Sequence, residues 1–394
     1  MKISHTLSVT IMFLCAPLHA QVSFDGTLGR SGALPGPDYQ IGANLGQQHG
    51  GNLFHKSHES ATFSGPNSVN NVISRVTGGN PSTIPNADMY FLNPYGIMFG
   101  PNAKLDVQGS FHASTADYLR LQDGGQFNAR QPGNSLLTVA PVEAFGFLTD
   151  SPASLSIEGS QLGTPYGKTF SLVGGDITLK GAQLHAPSGL VNLASVAQTG
   201  EVNALKPETT SFDKQGIITV SDNSIIEVSG LGAGAVFIRG KKLLLHDSVI
   251  QANTFGNQLR KAIDMVLTEA VDIRRYVISN EVLSLVNRNF GSGTAGGIAI
   301  ITPDLSITQT AIITHNLGAG RGGNLDIKAT QIALKEAGTL SSLTLGSGPG
   351  GQININATES ISLSGLFSGT VTVDGYLVLT GLRLVKWASM PILP

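Results

Sequence analysis

The stretch Gly322-Gly323-Asn324-Leu325-Asp326-Ile327 decides the fold, because the chain returns to its pattern several times. A glycine pair is followed by alternating apolar and polar residues. The same pattern occurs at Gly174-Gly175-Asp176-Ile177-Thr178-Leu179, at Gly296-Gly297-Ile298-Ala299-Ile300, at Gly350-Gly351-Gln352-Ile353-Asn354-Ile355 and, more loosely, from Gly232 to Ile238. The last three glycine pairs are 26 and 28 residues apart, and a spacing in the twenties is typical of repeat architectures.

Alternation with period two places Ile, Leu and Val on one face of each strand. A single strand cannot bury that face or satisfy its backbone hydrogen bonds, whereas stacking each repeat on the next at the ~4.8 Å strand spacing does both. The pattern therefore predicts an all-β fold, a right-handed parallel β-helix (solenoid) with an N-terminal cap. A sandwich of antiparallel hairpins is the alternative, but tight hairpin pairs such as Asp123-Gly124 and Asp374-Gly375 are few.

One stretch departs from the repeat. Residues 258–290 carry nine charged residues in 33, and five apolar residues recur at helical spacing. We predict one short external helix from Gln258 to about Asp272, and another coil with an unusual sequence is the alternative. The five apolar residues are Leu259, Ile263, Val266, Leu267 and Ala270.

The composition excludes several classes of protein. The 394 residues include 49 glycines, only 13% are charged, and the formal net charge is −2. So few charges exclude a coiled coil or a long helical bundle, and glycines without a three-residue period exclude collagen. The apolar content argues against intrinsic disorder. With no excess of basic residues, we predict no nucleic-acid partner.

The first twenty residues have the features of a secretory signal peptide. Lys2 gives a positive start, Leu7 to Pro17 form an apolar stretch, and Leu18-His19-Ala20 ends in a small residue. We expect the mature chain to begin directly after this segment, an ordinary buried helix being the alternative. The sequence has a single cysteine, Cys15, inside the segment, so we expect an exported chain without disulfides.

Four segments between residues 51 and 116 carry a family resemblance. They are Gly51-Asn52-Leu53-Phe54-His55, Ala61-Thr62-Phe63-Ser64-Gly65-Pro66, Asn71 to Gly79, and the long run from Asn86 to Ala116, of which Asn86 to Ala103 is the most specific part. Together they resemble the N-terminal two-partner secretion (haemagglutination activity) domain of filamentous-haemagglutinin-like exoproteins. The resemblance covers roughly residues 21–200, and the later glycine-pair repeats are similar to the β-helical stalk of that family.

The resemblance implies a partner, an outer-membrane two-partner secretion transporter with periplasmic recognition domains. It also implies a secretion motif that matches the family pattern Asn-Pro-x-Gly-Ile, and a secondary family motif. The secretion motif is Asn93, Pro94, Gly96 and Ile97, and the secondary motif is Asn52, Leu53, Phe54 and His55. Compared with the family, the chain is shorter between His55 and Ala61 and again between Pro81 and Ile84.

The residues of the secretion motif also have a local meaning. Pro94 fixes φ at about −65° for the second position of a turn, Asn93 can cap the turn through its side chain, and Gly96 accepts conformations that bulky residues avoid. We predict strands at Asp88 to Leu92 and at Ile97 to Phe99 on either side. A purely structural β-turn without a partner is the alternative to a recognition role.

These observations predict four segments along the chain. Residues 1–20 form the signal peptide, residues 21–257 the two-partner secretion β-helical domain, residues 258–290 an irregular or helical insertion, and residues 291–394 further β-helical repeats. Because residues 371–394 lack the glycine-pair pattern, a truncated copy of a longer exoprotein is one possible interpretation.

No catalytic, cofactor or metal site is predicted. The stretch Gly163 to Thr169 fails the phosphate-loop spacing, and His58-Glu59 lacks the second histidine of a zinc-protease motif. Parallel β-helices also include polysaccharide lyases and hydrolases, whose acids converge on one groove. Asp304 and Asp326 instead stand at different offsets in separate repeats.

We therefore expect a secreted, non-enzymatic exoprotein that reaches the cell surface through the periplasm and acts as an adhesin or haemagglutinin. A host or matrix glycan or protein receptor is the expected second partner. The alternatives are a polysaccharide-active enzyme, a glycan-binding rod, or a non-functional remnant of a longer exoprotein.

Overall fold

The structure is a computed structural model. It describes residues 88–365 except 137, 139, 208–211, 258–262 and 276–282, together with the backbone of six short strands upstream. The secondary family motif at residues 52–55 and the predicted signal peptide lie outside the described residues. Within them, regular structure is almost entirely strand, with one 3-10 turn at Pro132–Asn134.

Most strands lie on three parallel faces of a coiled column. The first face has β5 (Asn71–Arg75), β7 (Asp88–Leu92), β10 (Phe111–Ser114), β16 (Thr169–Gly174) and β19 (Leu190–Ser195), continued by the first halves of β23 (Ala235–His246), β25 (Ile263–Arg274), β27 (Ile298–Thr308), β29 (Leu325–Lys335) and β31 (Ile353–Ser364). The second face has β8 (Ile97–Phe99), β14 (Leu155–Glu158), β17 (Ile177–Lys180), β21 (Ile217–Ser221) and the second halves of the long strands. The third face has β15 (Gln161–Gly163), β18 (Gln183–His185), β22 (Ile225–Glu227), β24 (Val249–Gln251), β26 (Leu283–Asn289), β28 (Ala311–Asn316) and β30 (Thr339–Thr344).

Three smaller sheets complete the described strands. A parallel sheet at the N-terminal end contains β3 (Asp38–Gly42), β4 (Ser60–Ser64), β6 (Thr83–Ile84) and β9 (Asp106–Val107). An antiparallel pair is formed by β1 (Ser23–Asp25) and β2 (Ser31–Ala33). A four-stranded antiparallel sheet, which we call the extrahelical sheet, contains β11 (Tyr118–Leu121), β12 (Gln126–Asn128), β13 (Val142–Phe147) and β20 (Gly200–Asn203).

The chain visits the first, second and third faces in turn and then pairs with its own previous coil in parallel. This is the predicted parallel β-helix, and the parallel pairing on all three faces excludes the antiparallel sandwich as its architecture. The pairing does not test the handedness of the coil, so the right-handed β-helix remains a prediction.

The core is a column of inward side chains in register. One row runs through eight successive coils, and its first seven members are almost fully buried. Each buried Leu, Ile or Met of this row stabilises the fold by roughly 1.5–3 kcal/mol relative to exposure. The row is Ala113, Leu172, Leu193, Ile238, Met265, Ile300, Ile327 and Ile355.

The predicted external helix is wrong, and its alternative, another coil, is correct. Residues 263–274 form β25, which lies between β23 and β27 on the first and second faces. Its charged residues are exposed or partly buried, and the carboxylate of Asp264 lies 3.0 Å from the buried guanidinium of Arg239 on β23. The neighbouring strands β23 and β27 have backbone N–H and C=O groups that need partners. Pairing with them favours a strand here, although the apolar side chains have helical spacing.

The loops that join the third face to the first face approach one another closely. A Cβ added at Gly323 would lie 1.7 Å from the carbonyl oxygen of Gly296, and one at Gly351 would lie 1.8 Å from that of Gly323. The glycine pairs therefore allow the backbones of successive coils to stack.

We predict that Gly323→Ala lowers the free energy of unfolding by about 1–3 kcal/mol, because the methyl group overlaps backbone that cannot move without separating two coils. Gly133→Ala is the matched control, since nothing lies within 4 Å of the added atom. Urea unfolding followed by far-UV circular dichroism measures both. Equal stability of the two variants would contradict the stacking of these loops.

Candidate functional site

The predicted secretion motif forms a tight turn between β7 and β8, the two strands that the sequence predicted there. The backbone N–H of Gly96 donates to the carbonyl of Asn93 at 3.1 Å, which closes the turn. The side-chain Oδ1 of Asn93 accepts a bond from the N–H of Tyr95, also at 3.1 Å. Tyr95 keeps a negative φ, so the turn is type I rather than type II.

The turn is fixed to the coils on both sides. The N–H of Asn93 donates to the carbonyl of Ser114 at 3.0 Å, and the N–H of Ile97 donates to that of Ser154 at 3.2 Å. Pro94 and Ile97 are buried. Gly96 has φ +115°, a conformation that side chains with a Cβ avoid. The structure thus brings the four predicted residues together. They form the turn and attach it to the neighbouring coils.

The residue that the motif leaves unspecified is the most exposed one. Tyr95 is 78% exposed at the tip of the turn, and Met98 beside it is 67% exposed. The guanidinium of Arg130 lies 5.5 Å from the centre of the Tyr95 ring, a cation–π distance. Arg130 is itself held by an ion pair of 2.5 Å with the buried carboxylate of Asp117. Sequence reasoning missed Tyr95 because a variable motif position gives no signal of exposure.

The extrahelical sheet covers the outside of the first face and builds a second core. Tyr90 and Leu92 from β7 meet Leu119, Phe145 and Phe147 from the sheet there. This layer places the turn next to the extrahelical sheet, because Arg130 and Asp117 belong to the segment that forms it.

Charged side chains connect three strands of the extrahelical sheet. Nε of Arg120 lies 2.8 Å from Glu201, and the same guanidinium pairs with Glu143. The hydroxyl of Tyr118 donates to Glu201 at 2.8 Å. Burial, followed by that hydrogen bond, raises the pKa of Tyr118 to about 12. One guanidinium binds both carboxylates, so this cluster fixes the strand register rather than presenting unpaired acids for catalysis.

A row of polar side chains is buried beneath the extrahelical sheet. His112, Ser171 and Asn192 stand opposite one another on three successive coils. Among the described residues, Nδ1 of His112, the Ser171 hydroxyl and both amide atoms of Asn192 have no hydrogen-bond partner. The His112 ring stacks on Tyr90 with centroids 4.4 Å apart. Burial lowers the pKa of His112 to about 4, against the opposing effect of the Asp88 carboxylate.

We predict that acid destabilises the domain through His112. In the unfolded chain, His112 has a pKa near ~6.5. Between that pH and about 4 the unfolded state therefore binds a proton that the folded state does not bind. Stability is therefore full above ~6.5 and falls as the pH drops towards 4, by up to about 3 kcal/mol. His112→Phe keeps the stacking on Tyr90 and removes this dependence.

The measurement compares urea unfolding midpoints at neutral pH and at about pH 5, in the window between the two pKa values. His185→Phe, at an exposed position on the third face, is the control and should follow the unmodified chain. A His112→Phe variant with the same loss of stability in acid would rule out this residue as the cause.

The described residues give no further candidate centre. They contain no group of three or more His, Cys, Asp and Glu side chains that could hold a metal ion. Asp304 and Asp326 lie in different rows of the coil, and Asp326 accepts a 2.7 Å bond from Asn354. Across the same residues, no helix has the length and hydropathy of a bilayer-spanning segment.

The described fold is thus a parallel β-helix whose first face is covered by an antiparallel sheet. Residues 42–235 match the family model of the TPS secretion domain, so the chain carries the two-partner secretion domain of a filamentous-haemagglutinin-like exoprotein. No curated protein matches the chain significantly. The domain identifies a secreted protein that is exported through the outer membrane, with an outer-membrane transporter as its partner. The matched region lies within the predicted segment 21–257, whose boundaries remain a prediction.

Proposed function

We propose that the turn Asn93–Gly96 is the surface by which the transporter recognises this chain, with the Tyr95 side chain as its main contact. The supporting observation is the contrast within the turn. Asn93, Pro94, Gly96 and Ile97 are used to build and anchor it, while Tyr95 is exposed and held in place by Arg130. Tyrosine and arginine are the side chains that most often dominate binding energy at protein interfaces.

Export and folding are coupled in this proposal. The chain follows a signal peptide into the periplasm, meets the recognition domains of the transporter and crosses the outer membrane unfolded. Its first coils then fold outside, and every added coil buries apolar strand faces at about 25 cal/mol per Å². That gain opposes return of the chain through the transporter. The segment Asn52–His55 is the secondary element of recognition.

Outside the cell, we propose a non-enzymatic role in surface attachment, as an adhesin or haemagglutinin with a glycan or protein receptor. The support is the shape of the fold: a rod of in-register coils presents the same loop many times along one line, which suits multivalent binding. Ion pairing of Glu143 and Glu201 with one arginine, and the separate rows of Asp304 and Asp326, give the enzyme alternative no support.

We predict that Tyr95→Ser reduces the exported fraction about fivefold or more when the chain is produced with its cognate transporter, because a central tyrosine contact is worth more than about 1 kcal/mol. Immunoblots of the medium and of the cell fraction measure the ratio. The variant should keep the unfolding midpoint of the unmodified chain, since the side chain is exposed.

Tyr166→Ser is the matched control, a similarly exposed tyrosine on another turn at 54%, and it should be exported normally. The double variant Asn93→Ala with Pro94→Ala should be exported poorly as well. If only the double variant fails, and its folded stability also falls, then the turn is structural and the recognition proposal is wrong.

A further inference from the structure

Five successive loops between the third face and the first face each begin with a large apolar residue. The residues stack in register, because the N–H of each one from Phe255 onward donates to the carbonyl that precedes its counterpart in the previous coil, at 2.7–2.9 Å. Four steps at the strand spacing make a line about 19 Å long. We call this line the corner ridge, and it consists of Leu231, Phe255, Phe290, Leu317 and Leu345.

The side chains of the corner ridge point to solvent. Leu231, Phe255, Phe290 and Leu345 are 59%, 52%, 44% and 72% exposed, and Leu317 is partly exposed. The rings of Phe255 and Phe290 stack on each other at 5.3 Å with an interplanar angle of 18°. Single exposed apolar residues are ordinary, but a contiguous row of five forms an apolar patch of the kind that marks interaction sites.

The loops are held from inside, so the exposed side chains are not needed to shape them. The amide of Asn289 donates to the carbonyl of Gly293 at 3.0 Å. The amide of Asn316 donates to the carbonyls of Gly320 and Gly348 at 2.8 and 3.1 Å. These two buried amides fix the glycine-rich backbone of the last three loops, those of Phe290, Leu317 and Leu345.

The five loops that carry the ridge differ in charge from the strands beside them, which include Glu227 and Asp326 as well as Arg288. The five loops, taken as residues 230–234, 254–257, 289–297, 316–323 and 344–351, contain no Asp or Glu. Arg321 stands exposed in the fourth loop. Arg288 precedes Phe290 by two residues on β26 and lies next to His315, whose pKa is lowered by burial and by the Arg288 charge. The edge thus combines apolar side chains with positive charge.

We propose that the corner ridge binds a lipid surface that carries anionic headgroups. Apolar side chains on a convex edge can enter the boundary between headgroups and acyl chains, and flanking arginines attract phosphate. A protein partner fits less well, because five half-exposed side chains offer about 500 Å² where a stable interface needs about 800 Å² per partner. A ridge also encloses no ligand, as a sugar-binding groove would.

The test uses the purified full chain and sedimentation with vesicles of phosphatidylcholine alone, or with about one third phosphatidylglycerol. We expect binding to the anionic vesicles. Phe255→Ser with Phe290→Ser should weaken it about tenfold or more, and Arg321→Gln about fivefold. Leu136→Ser with Leu205→Ser, two apolar positions near the extrahelical sheet that are 67% and 68% exposed, is the control and should bind as the unmodified chain does.

Three results would overturn the proposal. They are no binding to either vesicle, equal loss of binding in the control variant, and equal binding to vesicles with and without phosphatidylglycerol. Ridge-dependent dimers in sedimentation velocity, or ridge-dependent binding to a sulfated polysaccharide without binding to vesicles, would assign the surface to another partner. Unfolding midpoints of all variants establish that loss of binding is not loss of fold.

Discussion

Each coil of this protein is completed by the next one. A strand such as β27 has its backbone hydrogen bonds on β25 and β29, and its inward isoleucines lie between those of the same two neighbours. No coil has a separate core, so hydrogen bonding and apolar burial both depend on register. The close approach of the loop glycines and the largely buried ion pair between Arg239 and Asp264 follow from that same alignment. Register also determines where exposed side chains lie, because equivalent loop positions of successive coils stack in a line along the β-helix.

The secretion domain adds one element to this plan. The extrahelical sheet closes over the first face and buries Tyr90 and His112, which would otherwise lie on the outside of the rod. Its connecting segment supplies Asp117 and Arg130, and Arg130 reaches the exposed ring of Tyr95. The turn at residues 93–96 is therefore supported from two directions, by the coils through its backbone and by the extrahelical sheet through one side chain. This arrangement anchors an exposed turn on both sides.

The sequence predicted the repeated coil because glycine pairs and alternation are local signals. The turn at Asn93 was predicted for the same reason, as were β7 and β8 on either side of it. The strand β25 was mistaken for a helix because its register shifts between Val266 and Ala270, where the strand passes from one face to the next, and the shift interrupts the period of two. The extrahelical sheet could not be predicted, since it pairs Ala144 with Asn203 across two coils. Exposure of Tyr95 and the corner ridge likewise depends on neighbours distant in the chain.

The strands of the extrahelical sheet come from different coils, so they become available for folding at different times during export. Strands β11 to β13 follow β10, whereas β20 follows β19, and the coil from β14 to β18 lies between them. For a polypeptide that emerges with its amino end first, β13 is paired only with β11 until residue 203 is outside and β20 can join the extrahelical sheet. The extrahelical sheet is therefore completed late. The polar row beneath it is fully covered only after later coils of the β-helix have begun to form.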